Sequence, residues 1–333
     1  MKILTISVAA YNVEKYLDQL MESVLSSSRA DDVEILVIDD GSKDRTAEIT
    51  KQYEEKYPDV VRLVSKPNGG HGSTINRGII EAKGKYFRAL DGDDWVDTDG
   101  FTKLIENLEY EDSDVVLTNY IDCYENGVRT IKKFDKLTDG NVYSIGEIYK
   151  SGSWMRYHTV IYKTSILQEQ KITLDEHCFY VDSEFMLFPI PYVQTIKFYD
   201  IEVYCYRLGL SGQSVSMESR QKHSADSYKV SHTLLDDFYL SIKGSLDEGK
   251  AAYIKHGVAS HLIWHFKTIL TYKPSRDHKR ELIEFDEYIK DKAPEIYDEM
   301  EQFGNSSFLV KLSRRCGHIF YRPASIYKRI KER

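Results

Sequence analysis

The sequence predicts an α/β protein with a mostly parallel central sheet, helices on both faces of that sheet, and a C-terminal helical extension. Two observations lead to this fold class. Short apolar runs alternate with segments of helical periodicity over roughly the first hundred residues, which indicates β-α repeats in succession. From Met217 onward the signals are almost all helical.

The elements of the first half follow from local pattern. An uninterrupted apolar run predicts the first strand over residues 3–9, and apolar residues spaced by three and four predict a helix over 13–25. The second strand, 33–38, stops at a polar cluster in which Ser42 is a candidate N-cap for a helix to about Tyr57. Strands at 60–64 and 85–90 then flank a break at 67–70 and a helix through Ile75 and Ile79.

The second half is less regular. Residues 114–119 and 202–207 are predicted strands, and 182–189 is a predicted short helix. We divide the chain into a segment of β-α repeats, 1–100, a mixed segment, 101–216, and a helical region, 217–333.

The net charge of −8 conceals an asymmetry. Residues 305–333 contain eight basic residues and one acidic residue, so this tail carries +7 and the remainder −15. An acidic body argues against general nucleic-acid binding, whereas a basic tail suits an anionic surface. Apolar residues lie among the charges of the tail, which leaves two interpretations open: an amphipathic segment at a membrane interface, or a solvated basic helix that packs its apolar side on the body.

No stretch reaches the roughly 18 apolar residues that a membrane span needs, and the N-terminus lacks a signal-peptide layout. The four cysteines form no CxxC pair, so neither a zinc site nor a disulfide framework is predicted. We therefore expect a cytoplasmic location, with the tail as a candidate contact to the inner face of the plasma membrane.

The strongest chemical signal is Asp91-Gly92-Asp93-Asp94 at the end of the fourth strand. In a parallel sheet, ligands bind at the carboxyl ends of the strands. Two carboxylates separated by one residue can share a hard divalent cation, and such a cation neutralises a leaving diphosphate. The alternative is an acidic turn, since Asp-Gly is a common turn dipeptide. Its place after four β-α repeats favours the metal site, with Asp91 and Asp93 as ligands.

Two further motifs lie at strand ends. Asp40 follows the second strand, where a carboxylate can accept the N3–H of uracil, although the same segment can begin a helix. Tyr11 follows the first strand and is equally suited to stacking on a base and to packing in the turn.

These motifs, taken in order, resemble those of family 2 glycosyltransferases with the GT-A fold. The resemblance covers roughly residues 1–215. It is carried by Val8-Ala9-Ala10-Tyr11-Asn12-Val13-Glu14, Ile38-Asp39-Asp40-Gly41-Ser42-Lys43-Asp44, Asn68-Gly69-Gly70-His71-Gly72, Asn76-Arg77-Gly78-Ile79, Ala82-Lys83-Gly84-Lys85-Tyr86 and Leu90-Asp91-Gly92-Asp93-Asp94-Trp95. It implies an inverting transfer from a nucleotide-diphosphate sugar, usually UDP-linked, with Mn²⁺ or Mg²⁺. It also implies that residues 1–100 form the nucleotide-sugar-binding half of the GT-A domain and residues 101–216 its acceptor and catalytic half.

Carried over by position, the resemblance implies that Tyr11 and Asp40 contact uracil, that Ala9 lines the same pocket, that Asp91 faces the ribose or donor sugar, and that Asp93 binds the metal. Other positions of these motifs are assigned to the nucleotide-sugar pocket as well: Asn12, Glu14, Lys66, Asn68, Gly69, Gly70 and Gly92. The chain departs from the family pattern in two places.

Ala10 replaces the usual proline, and Thr74-Ile75 replaces a frequent Ala-Arg pair. The arginine that would touch the diphosphate is therefore missing. Lys66, His71 and Arg77 are the candidates to replace it, and the sequence does not choose among them.

The segment 177–185 resembles the family's Tyr-Glu-Asp-x-x-Phe stretch, whose aspartate is the usual general base and maps to Asp182. Val181 replaces the common glutamate, and Glu184 is the neighbouring carboxylate. The segments 204–207 and 211–216 resemble the family's Tyr-x-Tyr-Arg and Gln-Ser-x-Ser stretches, expected to close over the diphosphate or acceptor. An edge strand followed by a loop is the alternative. The acceptor pocket is assigned to Trp154, Arg156, His158, Gln213 and Ser214.

The sequence thus predicts an inverting, metal-dependent glycosyltransferase that uses a UDP-sugar and extends a glycan or lipid-linked glycan of a surface polysaccharide. Two alternatives were weighed. A nucleotidyltransferase is expected to carry a Gly-rich loop with a basic residue after the first strand, which Ala9-Ala10-Tyr11-Asn12 does not provide. A non-catalytic nucleotide-sugar-binding protein would not be expected to keep Asp91, Asp93 and Asp182 together.

Overall fold

The computed structural model describes residues 2–210, 216–303, 312, 314, 315 and 317–331. The chain forms two compact units, Met1–Leu210 and Ser211–Arg333. The first unit contains the sheet, and the second is helical in its described part.

Four parallel strands form one side of the sheet, in the order β3-β2-β1-β4. These strands and the helices that connect them are β1 Leu4–Ala10, α1 Leu17–Leu25, β2 Val33–Asp39, α2 Thr46–Lys56, β3 Val61–Ser65, α3 His71–Glu81 and β4 Tyr86–Asp91. β1 and β2 are almost entirely buried, as their apolar runs predict.

The strand order reverses direction between β1 and β4. The chain steps outward from β1 to β2 to β3 and then returns to pair β4 with the other edge of β1. Right-handed crossovers in opposite directions place α1 and α2 on one face of the sheet and α3 on the other. A crevice opens at the carboxyl ends of strands at such a reversal. Here it lies between β1 and β4, where Ala9 is in register with Asp91.

The remaining strands extend the sheet through β9, β6, β10 and β5. β9 is antiparallel to β4 and β6, whereas β10 is parallel to β6. The elements are β5 Trp95–Val96, α4 Thr98–Leu108, β6 Val115–Tyr124, β7 Arg129–Lys132, β8 Val142–Tyr143, α5 Ile145–Ser151, β9 Val160–Lys163, α6 Thr164–Glu169, α7 Asp182–Leu187 and β10 Ile196–Leu208. Short β7 and β8 pair with β6 and β10.

Two helix starts differ from the sequence-based expectation. α1 begins at Leu17 rather than Val13, because Asn12 adopts a left-handed conformation (φ 55°) and the Val13 amide donates to Thr46 Oγ1 (2.9 Å). α2 begins at Thr46, and Ser42 is not its cap: Ser42 Oγ accepts the Asn12 amide instead (3.0 Å). These turns are fixed by contacts between two loops, which a local pattern does not contain.

The second unit consists of helices in the part of it that the structure describes. They are α8 Met217–Lys222, α9 Ser224–His232, a π-helix over Thr233–Tyr239, α10 Leu240–Ile242, α11 Glu248–Ile269, α12 Arg276–Lys292, α13 Pro294–Met300 and α14 Tyr321–Lys331. The long α11 supplies much of the core and is buried over most of its circumference. No helix among the described residues is both long and apolar enough to cross a bilayer.

Two histidines of α11 are buried in this core. Burial lowers the pKa of His265 to about 3 and that of His261 to about 4. Both contact Ser227: His265 Nδ1 lies 3.2 Å from its hydroxyl, and His261 Nε2 lies 3.3 Å from its carbonyl oxygen. The neighbouring His232 further lowers the pKa of His265.

We therefore expect the second unit to lose stability in acid. Below a pH of about 6.5 the unfolded chain binds protons that the folded histidines reject, so the unfolding free energy falls by about 1.4 kcal/mol per pH unit for each histidine until the folded pKa is reached. Urea unfolding at a series of pH values measures this slope. His265→Gln should make it shallower, and the same change at the more accessible His278 is the control. An unchanged slope in His265→Gln would contradict the expectation.

Candidate active site

The crevice between β1 and β4 brings the Tyr11 turn and the acidic motif together. The Gly92 amide donates to the carbonyl of Ala9 (3.0 Å). A Cβ at Gly92 would lie 2.8 Å from that oxygen and 3.0 Å from Val13 Cγ2, so the close approach requires glycine. Tyr11 is 49% exposed beside this contact, which leaves its ring accessible to a ligand.

Three carboxylates gather at the end of β4. Single oxygens of Asp91, Asp93 and Asp94 all lie within 4.8 Å of one another. Asp94 is buried and already bonded, since its oxygens accept from the Tyr204 hydroxyl (2.7 Å) and the Arg207 amide (2.7 Å). Asp91 and Asp93 are partly exposed and therefore fit a hard divalent cation, which prefers carboxylate oxygens. Asp94 supports them from below.

The cluster is electrostatically strained without a cation. Burial, followed by the charge of Asp91, raises the pKa of Asp93 to about 6. The same two causes, with the charge of Asp93, raise the pKa of Asp94 well above its usual value. Like charges held this close favour any ligand that brings positive charge.

His71 offsets part of the negative charge of the acidic cluster. Its Nε2 lies 3.1 Å from Asp91 Oδ1, and the Tyr157 hydroxyl donates to the same oxygen (3.1 Å). Burial opposes the charged imidazole, but Asp91, Asp182 and Asp93 together raise the pKa of His71 above its usual value. The imidazole thus interacts both with the acidic motif at the end of β4 and with Asp182, which lies much later in the sequence.

The other two candidates for the missing arginine are engaged elsewhere. Lys66 Nζ bonds to Asp40 (2.6 Å) and to the Ser73 hydroxyl (2.7 Å). Arg77 pairs with Glu81 on the outer face of α3. Of the three, His71 is the one that the fold places at the acidic cluster.

Asp40 organises the loop between β3 and α3. Its Oδ1 accepts from Lys66 and from the Gly69 amide (2.8 Å), and its Oδ2 accepts from the Gly70 amide (2.8 Å). Asn68 Nδ2 donates to the Asp40 carbonyl (3.0 Å). Asp40 is only 2% exposed, so it holds this loop in place from within the protein.

Asn12 and Glu14 also bond within the protein. Asn12 Oδ1 accepts the Lys43 amide (2.7 Å), and Glu14 Oε2 accepts the Arg45 amide (2.9 Å). Both side chains therefore tie the turn after β1 to the turn after β2, and this tie presents Tyr11 at the crevice.

Asp182 is the first residue of α7, and its side chain is exposed to solvent. The pKa of Asp182 is raised above its usual value. Desolvation by the surrounding protein is the main cause and the charge of Asp91 adds to it, whereas His71 and the Ser183 amide act in the opposite direction. Glu184, the neighbouring carboxylate, is fully buried, and its Oε2 accepts the Asp175 amide (2.7 Å). Of these two carboxylates, only Asp182 is accessible to a substrate.

The segment before Asp182 is bound to α3 by a contact that the sequence analysis did not anticipate. Asn76 Nδ2 donates to the Leu174 carbonyl (2.9 Å), and Asn76 Oδ1 accepts the Leu174 amide (2.8 Å). A Cβ at Gly72 would lie 2.1 Å from the Asp175 carbonyl oxygen. We call these contacts the 76–174 clamp. Asn76 and Gly72 belong to motifs that the resemblance singled out without a role.

The residues predicted to form the acceptor pocket differ in their exposure to solvent. Arg156 is exposed, and its Nη1 donates to the Tyr120 hydroxyl (2.8 Å), while Trp154 is half-buried. The His158 ring packs against Tyr206 and Tyr204, with centroids 4.2 and 4.8 Å away, and burial lowers its pKa to about 4. Gln213 and Ser214 lie outside the described residues.

The Tyr-x-Tyr-Arg stretch lies in β10 between β6 and β5 rather than on an edge strand. Tyr204 is fully buried. Its hydroxyl donates to Asp94, and the oxygen of the same hydroxyl accepts the Asp91 amide (3.2 Å). Arg207 Nε donates to the Asp93 carbonyl (2.7 Å), and its guanidinium lies over the Trp95 ring. This stretch supports the acidic cluster. Residues 211–215, which follow it, lie outside the described residues.

The profile of glycosyl transferase family 2 matches residues 5–182, which is just over half of the chain. The matched segment includes the acidic motif, His71 and Asp182. The chain belongs to glycosyl transferase family 2. Membership of this family supports a glycosyltransferase and not the alternative, a nucleotidyltransferase.

Relatives and solved structures agree with the family. The chain is 28% identical over 216 residues to the uncharacterized glycosyltransferase EpsJ of Bacillus subtilis, which covers 62% of this chain and 61% of that one. It is 29% identical over 181 residues to a poly(ribitol-phosphate) beta-glucosyltransferase of Bacillus spizizenii, covering 53% and 27%. The matched region therefore spans about three fifths of EpsJ and about a quarter of the second relative.

The structure resembles that of S. aureus TarS 1–349 in complex with UDP-GlcNAc, with a TM-score of 0.68, 19% identity, and coverage of 99% of this chain and 92% of that one. This likeness shows the fold. The predicted fold class, a GT-A domain with a helical C-terminal region, is confirmed.

Proposed function

We propose that this family 2 glycosyltransferase transfers a sugar from a UDP-sugar to a hydroxyl of a glycan or lipid-linked glycan, with inversion at the anomeric carbon. The observation that carries the proposal is the meeting of Asp91, Asp93 and Asp182 around His71. It supplies an anionic cluster for the donor side and one separate, accessible carboxylate for the acceptor side. TarS, which shares the fold, is described in complexes with UDP-GlcNAc and UDP, and this supports a UDP-linked donor.

The nucleotide is proposed to bind along the loops after β1 and β2. Tyr11 stacks on the uracil ring. Asp40 Oδ2 accepts one bond, from Gly70, in the hydrogen bonds found here, and a carboxylate oxygen has two lone pairs. The second lone pair is proposed to accept the N3–H of uracil. Ala9, Asn68 and Gly69 form the walls of this pocket.

The reaction needs one base. An acceptor hydroxyl attacks the anomeric carbon, its proton passes to Asp182, and the bond from that carbon to the UDP oxygen breaks, so that UDP leaves. Mn²⁺ or Mg²⁺, held by Asp91 and Asp93, would supply positive charge that neutralises the leaving diphosphate. His71 is proposed to hold Asp91 in place and to face the diphosphate, as the replacement for the missing arginine.

The acceptor is proposed to be a surface polymer or its lipid-linked precursor. The relatives include a poly(ribitol-phosphate) beta-glucosyltransferase and a minor teichoic acid biosynthesis protein, both named for such polymers. The acceptor is proposed to approach Asp182 past exposed Arg156 and half-buried Trp154. A lipid-linked acceptor would bring the enzyme to a membrane surface.

A donor panel tests the proposal. UDP release from a set of UDP-sugars is measured with Mn²⁺, with Mg²⁺ and with chelator, first without acceptor and then with acceptor candidates. We expect slow hydrolysis of one UDP-sugar, dependent on a divalent cation, and NMR of the transfer product should show inverted anomeric configuration. No hydrolysis or transfer from any UDP-sugar would contradict the UDP assignment, and retained configuration would contradict the role of a single base.

The 76–174 clamp yields a further prediction. In Asn76→Ala, two hydrogen bonds to the Leu174 backbone are lost, and the segment before Asp182 is released from α3. Because small displacements of a reacting group are costly, we expect turnover to fall roughly ten- to a hundredfold while UDP affinity stays within about twofold. Steady-state kinetics and UDP titration measure the two quantities separately.

The control is Asn107→Ala, on α4, where the side chain bonds only to the Lys103 carbonyl one turn away (2.8 Å) in the hydrogen bonds found here. It should leave both quantities near wild type. A parallel loss of turnover and UDP affinity in Asn76→Ala would mean that the clamp serves the nucleotide pocket and not the position of Asp182.

A further inference from the structure

The last described helix, α14, has two differently occupied faces. On the inner face, Tyr321, Ala324 and Ser325 are at most 3% exposed. Ser325 Oγ donates to the Tyr272 carbonyl in the same unit (2.7 Å). This anchor fixes which side of the helix faces outward.

The outer face is apolar. Large apolar side chains, each between 44% and 74% exposed, lie on it or in the turn that leads into it: Ile319, Phe320, Ile326, Tyr327 and Ile330. Ile326, Tyr327 and Ile330 are spaced by three and four residues, which places them along one side of α14, and Ile319 and Phe320 lie in the turn before it. Five of the protein's exposed large apolar residues fall within these 12 positions, which is unusual, since exposed apolar side chains are normally scattered singly.

Positive charge borders the stripe. Residues 317–331 contain Arg322, Lys328, Arg329 and Lys331 and no acidic residue. Arg314 and Arg315, which also belong to the basic tail, bond to Asp286 and Glu301 within the second unit. Part of the tail charge is therefore used internally. Arg322 and Arg329 lie four and three residues from Ile326 along α14, so their positive charge flanks the apolar stripe.

We propose that the outer face of α14 docks on the surface of an anionic lipid bilayer. Apolar side chains flanked by basic ones on an interfacial helix match the acyl boundary and the anionic headgroups of such a surface. A second copy of this chain is a poor occupant, since the contact would bring two copies of Arg322 and Arg329 together.

The test is vesicle co-sedimentation of the full chain. Vesicles of phosphatidylcholine with about a third phosphatidylglycerol are compared with pure phosphatidylcholine, at low and high salt. The wild type should bind the anionic vesicles at low salt and bind them at least about tenfold more weakly at high salt, because salt screens the basic residues. Ile326→Ser with Ile330→Ser should weaken binding by on the order of tenfold or more.

Ile80→Ser is the matched control, since Ile80 on α3 is 72% exposed and Ile330 is 69% exposed. It should bind as the wild type does. Because all these side chains are exposed, melting temperatures should change little; if the double serine variant melts lower, Arg322→Gln with Arg329→Gln decides, by losing the salt-dependent part of binding.

Equal binding of the wild type and these variants overturns the proposal, as does equal binding to neutral and anionic vesicles. A dimer in sedimentation velocity that the serine variant abolishes, without vesicle binding, assigns the face to a second copy and also overturns it. UDP release from donor without acceptor is measured in parallel and should be the same in all variants, so the outcome is separate from that of the proposed function.

Discussion

Replacing Asp182 by asparagine is expected to lower turnover by about 10²–10⁴-fold, the range typical of a lost general base. UDP affinity and melting temperature should remain close to wild type. Asparagine has nearly the same shape and begins a helix well, so a purely structural role at the start of α7 would be preserved. Turnover, isothermal titration with UDP and thermal unfolding distinguish the two roles.

The pH profile gives a second readout. The surrounding protein desolvates the Asp182 carboxyl and raises its pKa, and the base must be ionised to accept a proton. The quotient kcat/KM of the wild type should therefore fall as the pH falls through a value above the ordinary carboxyl range, and this acidic limb should be missing from the residual activity of Asp182→Asn.

Glu184→Gln is the companion variant. Glu184 is buried and accepts the Asp175 amide, so we expect its replacement to reduce stability more than it reduces catalysis. Turnover near wild type in Asp182→Asn, together with a large loss of turnover in Glu184→Gln at unchanged melting temperature, would transfer the role of base to Glu184.

Replacing Asp93 by alanine is expected to abolish metal-dependent binding of the UDP-sugar and to leave the fold intact. A charge interaction with a desolvated diphosphate and cation is worth several kcal/mol in the transition state, so activity should fall by about a thousandfold or more. Without metal, the variant should be at least as stable as the wild type, because the raised pKa of Asp93 reports burial and repulsion from Asp91.

Asp94→Asn is the comparison that distinguishes loss of metal binding from loss of stability. Asp94 is buried and accepts from Tyr204 and the Arg207 amide, so its replacement should lower the melting temperature, unlike Asp93→Ala. UDP titration with and without Mn²⁺ measures the site itself. An Asp93→Ala protein with wild-type UDP affinity under both conditions would remove Asp93 from the metal site.

The sequence alone was sufficient for the first half of the fold. Strands buried on both faces appear as continuous apolar runs, and helices appear as three-and-four spacing, so the four β-α repeats are legible without contacts. The acidic motif and Tyr11 were identified for a related reason. In a parallel sheet, polar residues directly after strands are bound to meet at one edge, whatever the details of the loops.

The tertiary structure decided which polar residues act on one another. Lys66, His71 and Arg77 are equally basic candidates in the sequence, but packing directs Lys66 to Asp40 and Arg77 to Glu81, and only His71 reaches Asp91. The choice between Asp182 and Glu184 depends likewise on burial. Lys66 and Asp40 are 26 positions apart and His71 and Asp91 are 20 positions apart, and no local period encodes such pairs.

The same division holds for the C-terminal tail. Its charge and apolar content are properties of composition, and they were visible in the sequence. Composition did not show that α14 buries Tyr321 and Ser325 and leaves Ile326 and Ile330 outward, because a helix with apolar residues on both sides has no single amphipathic direction. Packing against Tyr272 selects the inner face, and what is left over becomes the surface.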